Sequence, residues 1–493
     1  MTYRRGSNTH VQPRQLVTKQ AKPVAPQGSV TKSAVKYFTP RTATSLIIAN
    51  MIGVGVFTSL GLQLDGINGL LTSEIESPEI ANQVLQDGCA FPLLMMWFLG
   101  GVAALTGAMS YAELGGAMPR SGGEYNFLGR IYHPSVGFVS GWISATVGFA
   151  APIAAIAMAF SGYTLSVLPE IEGFWGDVCS KTIAVGLVLA CTWFHTRNHG
   201  QSSLFQNSFT LLKIILIFAF CVLALILVPE SQPLNLMPKS ADLNTIFSSP
   251  FAVGLVYVSF SYSGWNAATY ILGEMENPQA DLPRVLITGT TFVTLMYVLL
   301  NFVFLKTAPV EAMIAQEEIG AISASYAFGD WGGKVSSIMF ALLFISSVGA
   351  MTMAGPRAIH VIGEDHALFG YLGQTNSSGL PMRAIILQSA ISVLLILTSS
   401  FKTIMVFAGF MLAFCGAMAV LGVIVLRLKE PDLARPYKTP LYPFVPIVFL
   451  VITCSFLVFT IKSEPMPALY GLVTIIGGFV FYLCSRTYEK AKK

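Results

Sequence analysis

Long apolar stretches, separated by short polar or charged segments, follow one another along almost the whole chain. A helix crossing the hydrocarbon core of a bilayer needs about 20 predominantly apolar residues. Stretches of that size lie near residues 42–62, 91–114, 134–168, 178–196, 203–228 and 250–273. Six more lie near 285–306, 333–361, 383–400, 403–427, 442–461 and 466–486. A backbone in lipid must satisfy its own hydrogen bonds, and helices do so within one segment. The pattern therefore predicts an all-α membrane protein with twelve transmembrane helices.

Charge placement orients these spans. With the N-terminus in the cytoplasm, 22 of the 29 Lys and Arg residues fall on the cytoplasmic side, six fall outside, and Lys213 lies within a span. Lys and Arg are enriched in cytoplasmic loops, so both termini are expected inside a cell (inner or plasma) membrane. Residues 1–40 contain four Pro, several Lys and Arg and no Asp or Glu. They predict a disordered basic cytoplasmic tail, without the apolar core of a cleavable signal peptide. Segment 63–90 reads as a long outer loop with Asp65, Glu74, Glu76, Glu79 and Asp87 and no basic residue. It is a solvated acidic loop or, more sharply, a cation-attracting vestibule.

Composition agrees with lipid as the solvent. The chain of 493 residues is 54% hydrophobic and 11% charged, with mean hydropathy +0.65. Soluble domains carry about 25% charged residues. Seven scattered cysteines contain no C-x-x-C pair, which argues against metal-clip and thioredoxin readings. Cys89 and Cys179 both fall in or beside outer loops, so a disulfide between them stays open. His195 and His199 are four apart, a spacing metal sites use, but they flank Arg197 with no third ligand nearby and read as interfacial. No metal, cofactor or nucleic acid is expected. No nucleophile–base pair, phosphate loop or metal cluster suggests an enzyme.

Two spans are interrupted. The first reads Ile52-Gly53-Val54-Gly55-Val56-Phe57, and its glycines, two apart, weaken the helix and free backbone N–H groups. The sixth reads Phe260-Ser261-Tyr262-Ser263-Gly264-Trp265-Asn266, polar and glycine-bearing amid apolar residues. Each opens a block of five spans. Corresponding broken helices in two repeats frame the substrate site of many transporters. Helix N-termini hold anions, while unwound carbonyls hold cations, so a ligand with both a carboxylate and an ammonium fits the pair. Ordinary kinked helices packed through small residues are the plain alternative.

These residues carry a resemblance. With Tyr111-Ala112-Glu113-Leu114-Gly115, Pro119-Arg120-Ser121-Gly122-Gly123-Glu124-Tyr125 and Glu274-Met275-Glu276-Asn277-Pro278, the chain resembles the amino acid–polyamine–organocation superfamily over residues 40–430, closest to L-type and bacterial amino acid permeases. The resemblance implies the LeuT-like five-plus-five inverted repeat, with helices one and six unwound in mid-membrane. Residues 41–430 would form the ten-helix core, with repeats at 41–230 and 250–430, and 431–493 two further helices and a short tail. Backbone groups around Ile52, Gly53, Val54 and Gly55 would take the carboxylate. Carbonyls near Phe260, Ser261 and Ser263 would take the amine, with Phe260 also the outer gate. The chain departs from the pattern at Ser263, where L-type members often carry Gly, which suggests a tighter pocket. It departs again at Gly363-Glu364-Asp365-His366, against the commoner Ala-Arg-Asp-Gly, and in the longer loop 63–90.

Lys213 stands well inside span five, where a charge is costly and usually functional, unless it snorkels to the interface. Sodium-coupled relatives of this fold hold a cation between helices one, five and eight, the place a Lys213 ammonium would fill, with Ser346 and Ser347 as oxygen partners. Glu113 is a second ion-coupling candidate, or simply caps helix two. Desolvation disfavours a charged ammonium, which makes proton coupling reasonable. The expectation is a sodium-independent secondary transporter of L-amino acids working by alternating access, as a proton symporter or an exchanger. Its partners would be the amino acid, protons and lipids, with no obligate protein partner evident. A transporter of another small amine or polyamine, or a non-transporting sensor, are the alternatives; the first would want carboxylates at the pocket, the second a long cytoplasmic domain.

Overall fold

Thr39 caps the first helix: its hydroxyl accepts from the Thr42 N–H, and Pro40 sets the first turn. The computed structural model describes Thr2 and residues 38–72, 77, 83–85, 88–168, 173–197 and 199–492. Helices follow in the order α1 Pro40–Met51, α2 Gly55–Thr72, α3 Ala90–Ala117, α4 Glu124–Ile131, α5 Pro134–Leu165, α6 Gly173–His195, α7 His199–Leu227, α8 Ser240–Ile246 and α9 Ser249–Tyr262. After a 3₁₀ segment at Ala267–Glu274 come α10 Pro278–Thr307, α11 Val310–Met313, α12 Ile319–Ala354, α13 Pro356–Asp365, α14 Met382–Thr398, α15 Phe401–Lys429, α16 Phe444–Ser463 and α17 Pro465–Lys492. No strand occurs among the described residues; one isolated bridge joins Phe38 to Met275.

Ten helical stretches among these residues are long and apolar enough to cross a membrane. α14, with 17 residues, is shorter, and α9, with 14, ends at the second interruption. Each stretch expected from the hydrophobic pattern coincides with helix. The first one runs further than expected, because α2 continues to Thr72. Asp65 therefore sits on a helix rather than in an outer loop, while Glu74, Glu76, Glu79 and Asp87 lie outside the described residues. Cys89 and Cys179 are free thiols, so no disulfide joins them. His195 is buried against other side chains at the end of α6; the side chain of His199 lies outside the described set. No cluster of metal-ligating side chains occurs among the described residues.

Charged side chains tie the elements together on the side where α1 begins. The Glu113 carboxylate of α3 accepts from Arg427 at 2.8 and 2.6 Å and from the Thr439 N–H at 2.7 Å, with the Arg435 guanidinium 3.3 Å away. Arg357 holds Glu274 at 3.1 and 3.2 Å. Arg120 and the Tyr125 hydroxyl both reach Asp365 at 2.7 Å, so the departure at Gly363–His366 still places a carboxylate against the loop after α3. Glu113 is thus engaged in this cluster, where two guanidinium groups share its carboxylate.

Removing one partner of a buried ion pair leaves the other bare. Glu113→Ala is expected to cost about 3 kcal/mol, read as a lowered midpoint in thermal denaturation of the detergent-solubilised protein. Arg130→Ala breaks the half-exposed pair with Glu430 and is expected to cost less than about 1 kcal/mol. Equal losses would contradict a structural role for Glu113.

Candidate functional site

The two interruptions face each other. α1 ends as Ile52 leaves helical geometry at ψ 77°; the Gly53 N–H turns back to the Met51 carbonyl at 2.7 Å, and helix resumes at Gly55. α9 ends where the Ser263 N–H meets the Phe260 carbonyl at 2.9 Å. Gly264 then takes φ +96°, a conformation L side chains rarely adopt. The fit between them is close in both directions. A Cβ on Gly55 would stand 2.2 Å from Ser261 Oγ and 2.7 Å from Ser261 Cα, and one on Gly264 would stand 2.8 Å from Asn50 Cβ. Each break accommodates a side chain of the other only because it offers a bare backbone.

A cavity of about 10 Å³ lies between them. Asn50, Gly53, Val54, Gly55, Ser261 and Ser263 line it with Phe260, and no charged side chain does. That volume holds about one water, so in this conformation the breaks are closed on each other. The Val54 and Gly55 N–H groups, at the N-terminus of α2, have no backbone acceptor among the described residues. The Gly53 N–H is already used. On the other break, the Phe260 carbonyl accepts from Ser263, and the Ser261 carbonyl is reached by the Tyr297 hydroxyl at 2.9 Å.

Tyr297 of α10 also reaches the Met51 carbonyl. One phenol thereby joins the carbonyl ends of both interruptions. The Ser261 hydroxyl lies 3.1 Å from that of Ser59 on α2 and donates to the Tyr257 carbonyl at 2.8 Å. Beside them, Lys213 is fully buried. Its Nζ donates to the Ile52 carbonyl and to Ser347 Oγ, both at 2.7 Å, and Ser347 donates to the same carbonyl at 2.8 Å. Both acceptors are neutral. The ammonium thus meets the carbonyl end of α1, which carries partial negative charge. Ser346, the other expected partner, has a buried hydroxyl with no hydrogen bond among the described residues.

A family model described as amino acid permease matches residues 38–481. The chain belongs to the amino acid permease family. Among its curated relatives is the mouse (Mus musculus) large neutral amino acids transporter small subunit 2, 28% identical over 470 residues, covering 92% of this chain and 81% of that protein. The mouse Asc-type amino acid transporter 1 is 26% identical over 451 residues, covering 90% and 80%. The mouse b(0,+)-type amino acid transporter 1 is 26% identical over 415 residues, covering 81% of each chain.

In this permease the sequence-expected residues Gly53, Val54, Gly55, Phe260, Ser261 and Ser263 converge on one cavity. Ile52 sits behind it, its carbonyl turned to Lys213. Glu113 belongs to a separate cluster with Arg427, Arg435 and Thr439. Three further residues went unsingled in the sequence. Asn50 is 1% exposed; its Nδ2 donates to the Leu46 carbonyl at 2.8 Å, which leaves Oδ1 without a partner among the described residues. Tyr297 stands in an apolar helix where a tyrosine gives no periodic signal. Glu124 lies within a quoted motif, but only the fold brings donors to it.

The glycine geometry separates two substitutions. Gly53→Ala puts a Cβ 3.4 Å from Ile156 Cδ1, an ordinary contact, whereas Gly55→Ala drives one into the Ser261 backbone. Gly55→Ala is expected to destabilise the closed state by about 1–3 kcal/mol and to abolish ligand-induced thermal stabilisation, while Gly53→Ala retains it. Equal behaviour of the two variants would contradict this packing.

Proposed function

We propose that this permease is a secondary active transporter of L-amino acids that works by alternating access and without sodium. The observation that carries the reading is the uncharged cavity between two interrupted helices, with the free Val54 and Gly55 N–H groups on one wall and Ser261 and Ser263 on the other. A zwitterion needs no charged side chain in such a site: its carboxylate meets a helix N-terminus and its ammonium meets carbonyls. Phe260, 4% exposed and lining the cavity, is the proposed outer gate. The relatives' names, which speak of large neutral, Asc-type and b(0,+)-type amino acid transport, favour an amino acid over a polyamine.

The proposed architecture is twelve spans. The ten long helices are joined by α14 and by the broken rod of α9 with its 3₁₀ segment. Residues 41–230 and 250–430 form inverted repeats, residues 431–493 add two helices, and the basic tail of residues 1–40 lies in the cytoplasm. Both termini are cytoplasmic, in a cell membrane. Lys213 supports sodium independence: its ammonium already meets the oxygens of Ile52 and Ser347, and a sodium ion there would face a like charge. The permease therefore exchanges amino acids or couples to protons through Lys213. One relative's name calls it a small subunit, which describes that protein as part of an assembly. A chain acting without a partner is set against that name.

The test is exchange of labelled amino acids in liposomes carrying the purified chain alone. Flux of at least one neutral amino acid, equal in sodium and in choline buffer, is expected; absence of flux and of binding for all twenty, at every pH, overturns the reading. Lys213→Ala is expected to abolish or flatten the pH dependence of flux. A variant with the wild-type profile at all pH values removes Lys213 from coupling.

A further inference from the structure

Glu124 is 3% exposed, and no Lys or Arg pairs with it among the described residues. Its carboxylate is held by neutral donors from three directions. Tyr111 of α3 donates to Oε1 at 2.8 Å, Asn266 Nδ2 donates to the same oxygen at 2.5 Å, and the Tyr270 hydroxyl donates to Oε2. Asn266 closes the turn that interrupts α9, and Tyr270 belongs to the 3₁₀ segment beyond it. Tyr270 lies 3.1 Å from the Ser144 hydroxyl, in a π-helical turn of α5. Irregular turns of this kind collect at functional positions.

The backbone next to Glu124 grips the same segment. Gly123 N–H donates to the Thr269 carbonyl at 3.3 Å, and Gly273 N–H donates to Ser121 Oγ at 2.8 Å. Gly123 has φ +54°, and a Cβ there would stand 2.8 Å from the Tyr270 ring. Ser121, Gly123 and Glu124 thus contact Gly273, Thr269, Tyr270 and Asn266 from one side. Two of the three donors to the carboxylate ride on the segment that must move if the cavity is to open on this side.

We propose that Ser121–Glu124 is a clasp that closes the substrate cavity on the side where α1 begins, and that Glu124 is its positioning residue. The proposal rests on the transporter reading for what the cavity holds. A buried carboxylate is tolerated only while its oxygens are hydrogen-bonded. Withdrawal of the 3₁₀ segment leaves Tyr111 alone on Glu124, so the segment leaves only as water enters. Opening is therefore all-or-none: a partly lifted segment would bare the charge without solvating it.

Accessibility of a cavity cysteine tests this without any substrate. Ser263→Cys is made where Cys179, Cys454 and Cys484, the cysteines that are not buried, are serine. The chain is placed in liposomes of defined orientation and labelled with a membrane-impermeant charged maleimide from each side. Glu124→Ala is expected to raise the labelling rate about tenfold from the side where α1 begins and to leave the other within about twofold, the effect of freeing two hydrogen bonds. Glu124→Gln keeps an acceptor oxygen and should rise less. Tyr270→Phe removes one donor; it should rise about threefold and serves if Glu124→Ala fails to fold. No rise, or an equal rise from both sides, overturns the clasp. Asymmetric labelling without amino acid flux in any variant would keep the clasp and remove the transporter reading.

Discussion

The close approach of Gly55 to Ser261 and of Gly264 to Asn50 governs the arrangement of the rest. A helix broken in an apolar setting exposes N–H and C=O groups that lipid cannot satisfy. The two breaks meet this need in part: each turns inward on itself and Tyr297 links their carbonyls, while the Val54 and Gly55 N–H groups stay without a backbone acceptor among the described residues. Lys213 then takes a further carbonyl of the first break, at Ile52.

The same arrangement explains why so many polar side chains are buried without a ligand's help. Ser59, Ser261, Ser347, Tyr297 and Lys213 engage one another or the broken backbone. A site built this way is rigid in its hydrogen bonds and variable only through motion of whole half-helices. Selectivity for a side chain would then depend on what the shifting halves uncover, since the closed cavity holds about one water.

The helical frame was legible from the sequence because hydrophobic stretch length reports lipid thickness directly. The positions where helix gives way, at Ile52–Val54 and after Tyr262, were marked by glycine and serine within apolar runs, a mark that small residues packing two helices also leave. Lys213 was legible as a cost that needed a reason. Tyr297 and Glu124 were not. Their partners are 246, 36, 13, 142 and 146 residues away in the chain, and single tyrosines or a glutamate beside a loop leave no periodic trace. The extension of α2 to Thr72 was missed for a different reason: Gln63, Asp65 and Asn68 interrupt its apolar pattern, yet the helix continues beyond them.

Several contacts among the described residues reinforce one face of the bundle. Arg120 with Asp365, Arg357 with Glu274, and the bridge between Phe38 and Met275 all join elements on the side where α1 begins. In the proposed alternating cycle these bonds would weight the resting ensemble toward conformers shut on that face. A solute arriving there would find a binding-competent state only in a minor fraction of molecules, and its apparent affinity would fall by that fraction. One pocket with a single intrinsic affinity would therefore look weak from one compartment and strong from the other. On the proposed transport reading, the side from which the permease is easier to load would be set by the bonds of its closed face rather than by the pocket itself.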